Sequence, residues 1–227
     1  MQRIFDIILS SLALVILSPL LVPIAILLRI TGEGEIFYLQ DRIGKDGKTF
    51  KLYKFATMLK NSPSLGTGTV TVKNDPRILP AGKFLRKTKI NELPQLLNIL
   101  FGDMSVIGPR PLTKQTFGAY SVNTQRIIGQ VRPGLSGVGS IIFRGEEDIL
   151  AGANSSLDFY KNSIAPYKGD LEIWFVKNNS LINYFKAIIV TLVVVLFPKS
   201  QAAWKVFKGL PVPPDELKDV LNYLEAK

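Results

Sequence analysis

From Ile4 to Leu28 the chain is almost continuously apolar, and this run limits what the rest can be. It starts behind Arg3, ends at Arg29, and is interrupted only by Asp6, a few serines and two prolines. At about 1.5 Å per residue, a straight helix of this length reaches across a bilayer core of roughly 30 Å. A secretory signal has a shorter apolar core and a small-residue cleavage site, and no clear site of that kind is present. Pro19 has no N–H for the Val15 carbonyl and crowds it, and Pro23 repeats the fault one turn later. Ser18 can bond back to the Leu14 carbonyl and ease the break. Ser18-Pro19 is therefore expected to bend the helix near membrane depth, leaving two arms too short to span. Such a re-entrant helix returns Arg29 to the same face as Arg3, matching the cytoplasmic preference of basic flanks. Prolines also occur in ordinary kinked spans, so these residues alone leave both topologies open.

The chain has 227 residues, enough for one sizeable core or one domain with attachments. Hydrophobic residues make up 47% and the mean hydropathy is positive. This is too apolar for a disordered chain and argues for contact with lipid. The net charge of +10 implies an anionic partner: nucleic acid, anionic lipid or a phosphorylated substrate. The chain contains neither His nor Cys. Ser-His-Asp and Cys-His catalysis, ordinary zinc sites and disulfides are therefore excluded. Catalysis has to use carboxylates, amides, hydroxyls, Lys, Arg or a hard metal held by oxygen.

After the apolar run the pattern changes to short strands and turns. Ile36 to Leu39 is β-rich, Gly44 to Lys48 reads as a hairpin turn, and Phe50 to Phe55 alternates on its far side. Thr69 to Val72 is a short strand candidate, and Asn74-Asp75-Pro76 marks a turn. Leu93, Leu96, Leu97 and Leu100 are spaced as one buried face of a helix. Asn91 suits its N-cap, and Gly102 ends it. Leu181 to Phe197 is a second apolar stretch, whose uninterrupted core from Ala187 is too short to span. Trp204, Lys205 and Lys208 nearby favour the membrane surface for it. Leu217, Val220, Leu221 and Leu224 predict a short amphipathic C-terminal helix. The expected architecture is α+β: a re-entrant membrane helix over 1–30, a small mixed catalytic domain with interfacial amphipathic helices over 31–200, and a tail helix over 201–227.

Three clusters are suited to phosphate. Lys54 ends a strand. Lys73, Arg77, Lys83, Arg86, Lys87 and Lys89 form a basic run. In Gly108-Pro109-Arg110-Pro111, two prolines hold one guanidinium on stiff backbone. A guanidinium donates two parallel hydrogen bonds to phosphate, and a rigid backbone lowers the entropy lost in presenting it. Between the second and third clusters lies Lys89-Ile90-Asn91-Glu92-Leu93-Pro94-Gln95-Leu96. Glu92 at a helix start could hold Mg²⁺ against a diphosphate, or be merely a first-turn acid favoured by the helix dipole.

These stretches, with Phe84 to Lys89 before them and Gly102-Asp103-Met104-Ser105-Val106-Ile107 after, resemble the bacterial sugar transferase family. These are the small monotopic polyprenyl-phosphate phosphoglycosyl transferases. The resemblance extends to Ser18-Pro19, Asp41 to Gly44, Lys54-Phe55, Thr57-Met58, Arg132 to Gly137 and Leu171 to Trp174. It implies a helix bent at Ser-Pro, a site at the cytoplasmic face of the bacterial inner membrane, and Mg²⁺ dependence. The substrates it implies are a UDP-sugar and undecaprenyl or another polyprenyl phosphate. In the family an Asp attacks the β-phosphate, expels UMP and carries the sugar phosphate, while the following Glu binds Mg²⁺.

This chain departs from that pattern where the nucleophile stands, because the Asp position is Asn91. A neutral amide cannot form the acyl phosphate. The Arg usual after Lys-Phe is also replaced, by Ala56. Three mechanisms stay open: direct attack by prenyl phosphate, a substitute carboxylate such as Asp75 or Asp103, or a catalytically silent protein that binds prenyl phosphate or nucleotide sugar within a glycan assembly complex. Asn91 and Glu92 are the candidate catalytic pair, Glu92 the metal ligand, and Lys54, Arg86 and Arg110 the phosphate ligands. A nucleic-acid partner is not expected, since charge alone suggests one. The oligomeric state is open, with a homo-oligomer allowed.

Overall fold

The computed structural model describes residues 1–31, 33–62, 75–146, 149 and 159–223. The fold is α+β, with short strands in two pairs and helices carrying most of the ordered backbone. The chain packs as two compact units. The smaller is Ile7–Asp41 with Lys51–Phe101; the larger is Met1–Asp6, Arg42–Phe50 and Gly102–Lys227. The two units interleave along the sequence.

Helix α1 (Gln2–Ile30) keeps helical backbone throughout, with Pro19 and Pro23 inside it. The break expected at Ser18-Pro19 is thus not an interruption of the helix. The Ser18 hydroxyl donates to the Val15 carbonyl at 2.8 Å, rather than to Leu14. Val15 is the acceptor that Pro19 leaves without a donor, so the hydroxyl replaces the missing N–H. The helix is long and apolar enough to cross a membrane, and only 6% of its apolar window is buried against protein. It is therefore not the core helix of a globular domain. Its exposed Leu12, Val15, Ile16, Val22 and Ile26 need a second apolar phase.

In the smaller unit, Leu21, Ile24, Ala25 and Leu28 of α1 pack against Ile36, Phe55, Leu85 and Ile90. At about 1.5–3 kcal/mol for each fully buried large side chain, this cluster anchors the C-terminal turns of α1. Strands β1 (Phe37–Ile43) and β2 (Thr49–Phe55) pair as the hairpin the alternation predicts. The turn between them uses positive φ at Asp46 and Gly47. Asn98 is fully buried; it donates to the Lys51 carbonyl at 2.8 Å and accepts from the Tyr53 N–H at 2.9 Å. It thus supplies both hydrogen bonds along one stretch of β2 from a neighbouring helix. Helix α2 (Pro80–Lys87) starts with proline, whose missing N–H is harmless there. Helix α3 (Gln95–Phe101) ends at Gly102, whose φ of +99° suits a residue without Cβ. The strand candidate Thr69 to Val72, Lys73 and Asn74 lie outside the described residues.

The larger unit is organised around a parallel pair, β3 (Ser105–Ile107) and β4 (Gly134–Ser136), with Ser105 opposite Gly134 and Ile107 opposite Ser136. Helices α4 (Lys114–Gly118), α5 (Val122–Ile128) and α6 (Val138–Ile142) flank it in sequence. Helices α7 (Ala165–Lys177), α8 (Leu181–Leu196), α9 (Ala202–Val206) and α10 (Asp215–Lys218) complete it. Val138, Leu171, Phe175, Tyr184 and Ala187 form its driest interior. The tail helix is shorter than its pattern suggests: Leu217 and Leu221 are buried, Val220 is exposed, and Leu224 lies outside the described residues.

Asp6, the one acid within the apolar run, has a structural task. Its Oδ1 accepts from the Ser105 hydroxyl, the Val106 N–H and the Tyr184 hydroxyl, each at 2.9 Å. At 2% exposure a carboxylate is tolerated only with such donors. The start of α1 is thereby tied to β3 and α8.

Candidate active site

The site in the smaller unit is made by a reversal between α2 and α3. Thr88 ends α2 by returning its hydroxyl to the Phe84 carbonyl at 2.8 Å. Lys89 then takes the left-handed conformation at φ 58°. This turn starts a single 3₁₀ turn, Ile90–Glu92. Ile90 points into the apolar cluster under α1. Asn91 is therefore inside a 3₁₀ turn and not the N-cap of the leucine helix, which begins only at Gln95. Likewise, Glu92 closes that turn instead of opening the helix, because Pro94 shifts the start of α3 beyond it.

Lys54, at the end of β2, places its ammonium 3.3 Å from Glu92 Oε1. The two side chains are only 18% and 24% exposed, so their attraction is screened less than that of a surface pair. These residues are 38 apart in sequence. Asn91 is 6% exposed, and its Oδ1 has no hydrogen-bond partner. A buried amide oxygen without a donor costs about 1–3 kcal/mol. It marks a place where a donor or a cation would be favourable. Arg86, on α2, directs Nη1 to the Met58 sulfur at 3.7 Å. Asp75 cannot serve as a substitute nucleophile: it is buried, and its two oxygens are held by the Arg77 guanidinium, with Nε at 2.8 Å from Oδ1.

Asn91 and its chain neighbour Glu92 both offer side-chain oxygen suited to a hard cation. The Glu92 carboxylate and the orphan Asn91 oxygen fit Mg²⁺, which takes few protein ligands and completes its shell with phosphate and water. Among the described residues no three acids cluster as a dedicated metal cage.

Arg110 belongs to the larger unit. The loop that presents it is held by backbone contacts: Gly108 N–H to the Ser136 carbonyl at 2.9 Å, and Gly134 N–H to the Pro109 carbonyl at 2.8 Å. A Cβ on Gly134 would stand 2.0 Å from the Gly108 nitrogen, so the two glycine motifs are the two sides of one close backbone approach. Arg42 Nη1 donates to the Pro111 carbonyl at 3.0 Å. The residue itself is exposed, which leaves a rigid backbone under an accessible guanidinium.

Sequence reasoning missed Glu172, which stands behind this loop. It is 1% exposed, accepts weakly from the Arg110 N–H at 3.5 Å, and leaves Oε2 without a partner. Burial pushes its carboxyl up to about 7, against the pull of Lys168 and Arg110. Lys168, one turn earlier on α7, is itself buried and paired with Glu146. Glu172 lies within the Leu171 to Trp174 stretch of the resemblance, but nothing in its spacing marks it as buried. An acid whose folded pKa is raised binds its proton more tightly when folded. Stability is therefore full below about 4.5 and falls as pH rises through about 7. Glu172→Gln is expected to remove this loss, of up to about 3 kcal/mol. Melting temperature against pH, flatter between pH 5 and 8 in the variant, checks it.

The family model of the bacterial sugar transferases matches residues 1–198. The chain belongs to this family. Relatives of the chain include a UDP-glucose:undecaprenyl-phosphate glucose-1-phosphate transferase of Klebsiella pneumoniae, 39% identical over 70% of this chain and 34% of that protein. An undecaprenyl-phosphate galactose phosphotransferase of Salmonella typhimurium is 33% identical over 86% of this chain and 40% of its own length. A UDP-N-acetylgalactosamine-undecaprenyl-phosphate N-acetylgalactosaminephosphotransferase of Aeromonas hydrophila is 36% identical over 62% and 34%. The chain thus spans less than half the length of these relatives. Their names differ in the sugar and agree on the lipid phosphate.

Proposed function

We propose that the chain transfers a sugar phosphate from a UDP-sugar to a polyprenyl phosphate and releases UMP, at the cytoplasmic face of the bacterial inner membrane. The observation that carries this reading is the half-buried Lys54–Glu92 pair beside the orphan Asn91 oxygen, in a chain of this family. Lys54 and Arg86 are the phosphate ligands of the smaller unit in this reading, and Arg110 is a separate phosphate ligand of the larger unit. Glu92 and the Asn91 side-chain oxygen would hold Mg²⁺, which would supply charge neutralisation at the diphosphate.

With an amide at position 91, the reaction is a single displacement. A prenyl-phosphate oxygen forms a bond to the β-phosphorus, the bond from that phosphorus to the bridging oxygen breaks, and the bridging oxygen leaves with UMP. Catalysis is then positioning and electrostatic stabilisation, without an enzyme-bound sugar phosphate. The membrane placement is supported by the exposed apolar surface of α1. We favour the re-entrant course, with Ser18-Pro19 as its bend.

A catalytically silent protein that binds the same ligands is the second reading, favoured by Asn91 itself. Purified protein in nanodiscs, given Mg²⁺, undecaprenyl phosphate and a panel of UDP-sugars, separates the two. The expected product is UMP with one of the sugars. UDP release would instead mean ordinary glycosyl transfer, and no product with any sugar would leave the silent reading.

A further inference from the structure

The larger unit contains a cavity of about 280 Å³, close to the roughly 300 Å³ at which pockets begin to bury small ligands. Part of its wall comes from Ile141 and Ile142 on α6 and Val194 on α8, all inside the residues that the family model matches. The rest of the wall includes Ala203, Trp204, Val220 and Leu221, from the tail beyond residue 198. The tail is held in place: Phe207 and Leu217 are buried, and Trp204 Nε1 donates to the Leu221 carbonyl at 3.3 Å. The Trp204 ring also meets the Tyr223 ring edge-on at 5.0 Å. Because the indole N–H is used within the tail, that ring offers the cavity apolar surface.

The lining decides what kind of ligand enters. Most of its side chains are apolar, and the one charged among them is Arg144, which is exposed. A nucleotide sugar needs partners for a base and several hydroxyls. Besides Arg144, the polar side chains among the lining residues are Ser200 and Asn222, and the Ser200 hydroxyl already accepts from the Ala202 N–H at 3.2 Å. The cavity also meets exposed apolar surface. Val220 lines it and is 49% exposed. Leu196 and Phe197, exposed as well, run directly into Pro198 of the wall. Side chains of this kind suit contact with hydrocarbon. The ligand is therefore an amphiphile with one anionic group. A space of this size takes a single chain, whereas a phospholipid brings two.

We infer that this cavity binds a polyprenyl phosphate: the isoprene units next to the phosphate lie in it, and Arg144 meets the phosphate. The tail thereby supplies a lipid-binding wall that the family-matched residues do not provide alone. The inference rests on the lipid ligand proposed above, which the transferase and the silent reading share, and not on the transfer reaction.

Full-length protein in phosphatidylethanolamine nanodiscs, irradiated with a farnesyl phosphate carrying a photoreactive diazirine and read for labelled residues by mass spectrometry, tests it. Wild type is expected to carry label on Ile141, Ile142, Trp204 or Leu221, and unlabelled undecaprenyl phosphate should displace it. Arg144→Gln should weaken labelling about tenfold, the usual weight of a hydrogen bond to a charged group. Val220→Glu, which sets a charge of the ligand's own sign at the exposed edge of the wall, should weaken it at least as much. Both positions are exposed, so these variants fold. Val212→Glu puts the same charge on the tail at an exposed residue outside the wall and should be labelled as wild type is. Equal labelling in wild type, Arg144→Gln and Val220→Glu overturns the inference, as does displaceable label confined to residues outside the wall. Displacement by added phosphatidylglycerol also overturns it, by making this a general phospholipid site. Displacement by UDP overturns it too, by assigning the cavity to the nucleotide. No label anywhere on the chain sinks the proposed lipid ligand together with this inference. Label in the cavity without sugar transfer leaves the inference standing and sinks only the transferase reading.

Discussion

Glu92→Gln is expected to reduce UMP release by about a thousandfold, roughly 4 kcal/mol of transition-state stabilisation. The change keeps the shape of the side chain and removes its charge. Two things are lost together. Lys54, at 3.3 Å and largely buried, loses its charge pairing with Glu92. The charged oxygen donor that follows Asn91 in the chain is also gone, so Mg²⁺ affinity falls. Initial rates across a Mg²⁺ titration check this. The variant should need much more metal and still not recover. Unchanged turnover at low Mg²⁺ would take Glu92 out of the site. The fold should persist, since Ile90 holds the turn through apolar packing.

Asn91→Asp is expected to change the reaction from one displacement to two. The new carboxylate would stand at a buried position whose Oδ1 has no donor. An anion there is poorly solvated, which lowers stability somewhat and raises reactivity toward phosphorus. One carboxylate oxygen bonds to the β-phosphorus and UMP leaves with the bridging oxygen. The sugar phosphate remains on the chain until prenyl phosphate attacks. Incubation with a UDP-sugar labelled in the sugar, without the lipid acceptor, should leave about one label per chain after denaturation. The parent chain should leave none. Label on the parent chain would mean that another residue acts as nucleophile and that the single displacement is wrong. No label on the variant would mean that the pocket no longer binds the diphosphate in line.

These outcomes depend on features that differ in how far the sequence displays them. The apolar run, the alternation on either side of Gly44 to Lys48 and the leucine spacing before Gly102 are local patterns. They correspond to α1, the β1–β2 hairpin and α3, because side-chain period and turn chemistry act within a few residues. The boundaries moved where local geometry competed. Pro94 pushed the α3 start past Asn91 and Glu92. At Pro19 the Ser18 hydroxyl took the orphaned Val15 carbonyl, so no break in helical backbone appears.

By itself, then, the sequence determined the apolar helix, the element types, the absence of imidazole and thiol chemistry, and the family motifs with their amide at position 91. Tertiary structure alone decided that Lys54 meets Glu92, that Asp6 is a buried anchor, that Glu172 stands behind Arg110, and that Gly108 and Gly134 touch. It also decided that the units interleave along the chain and that the tail joins α6 and α8 in lining one cavity. The physical reason is range. Periodicity and capping are energies between near neighbours, whereas burial and charge pairing depend on which distant segments the chain path brings together.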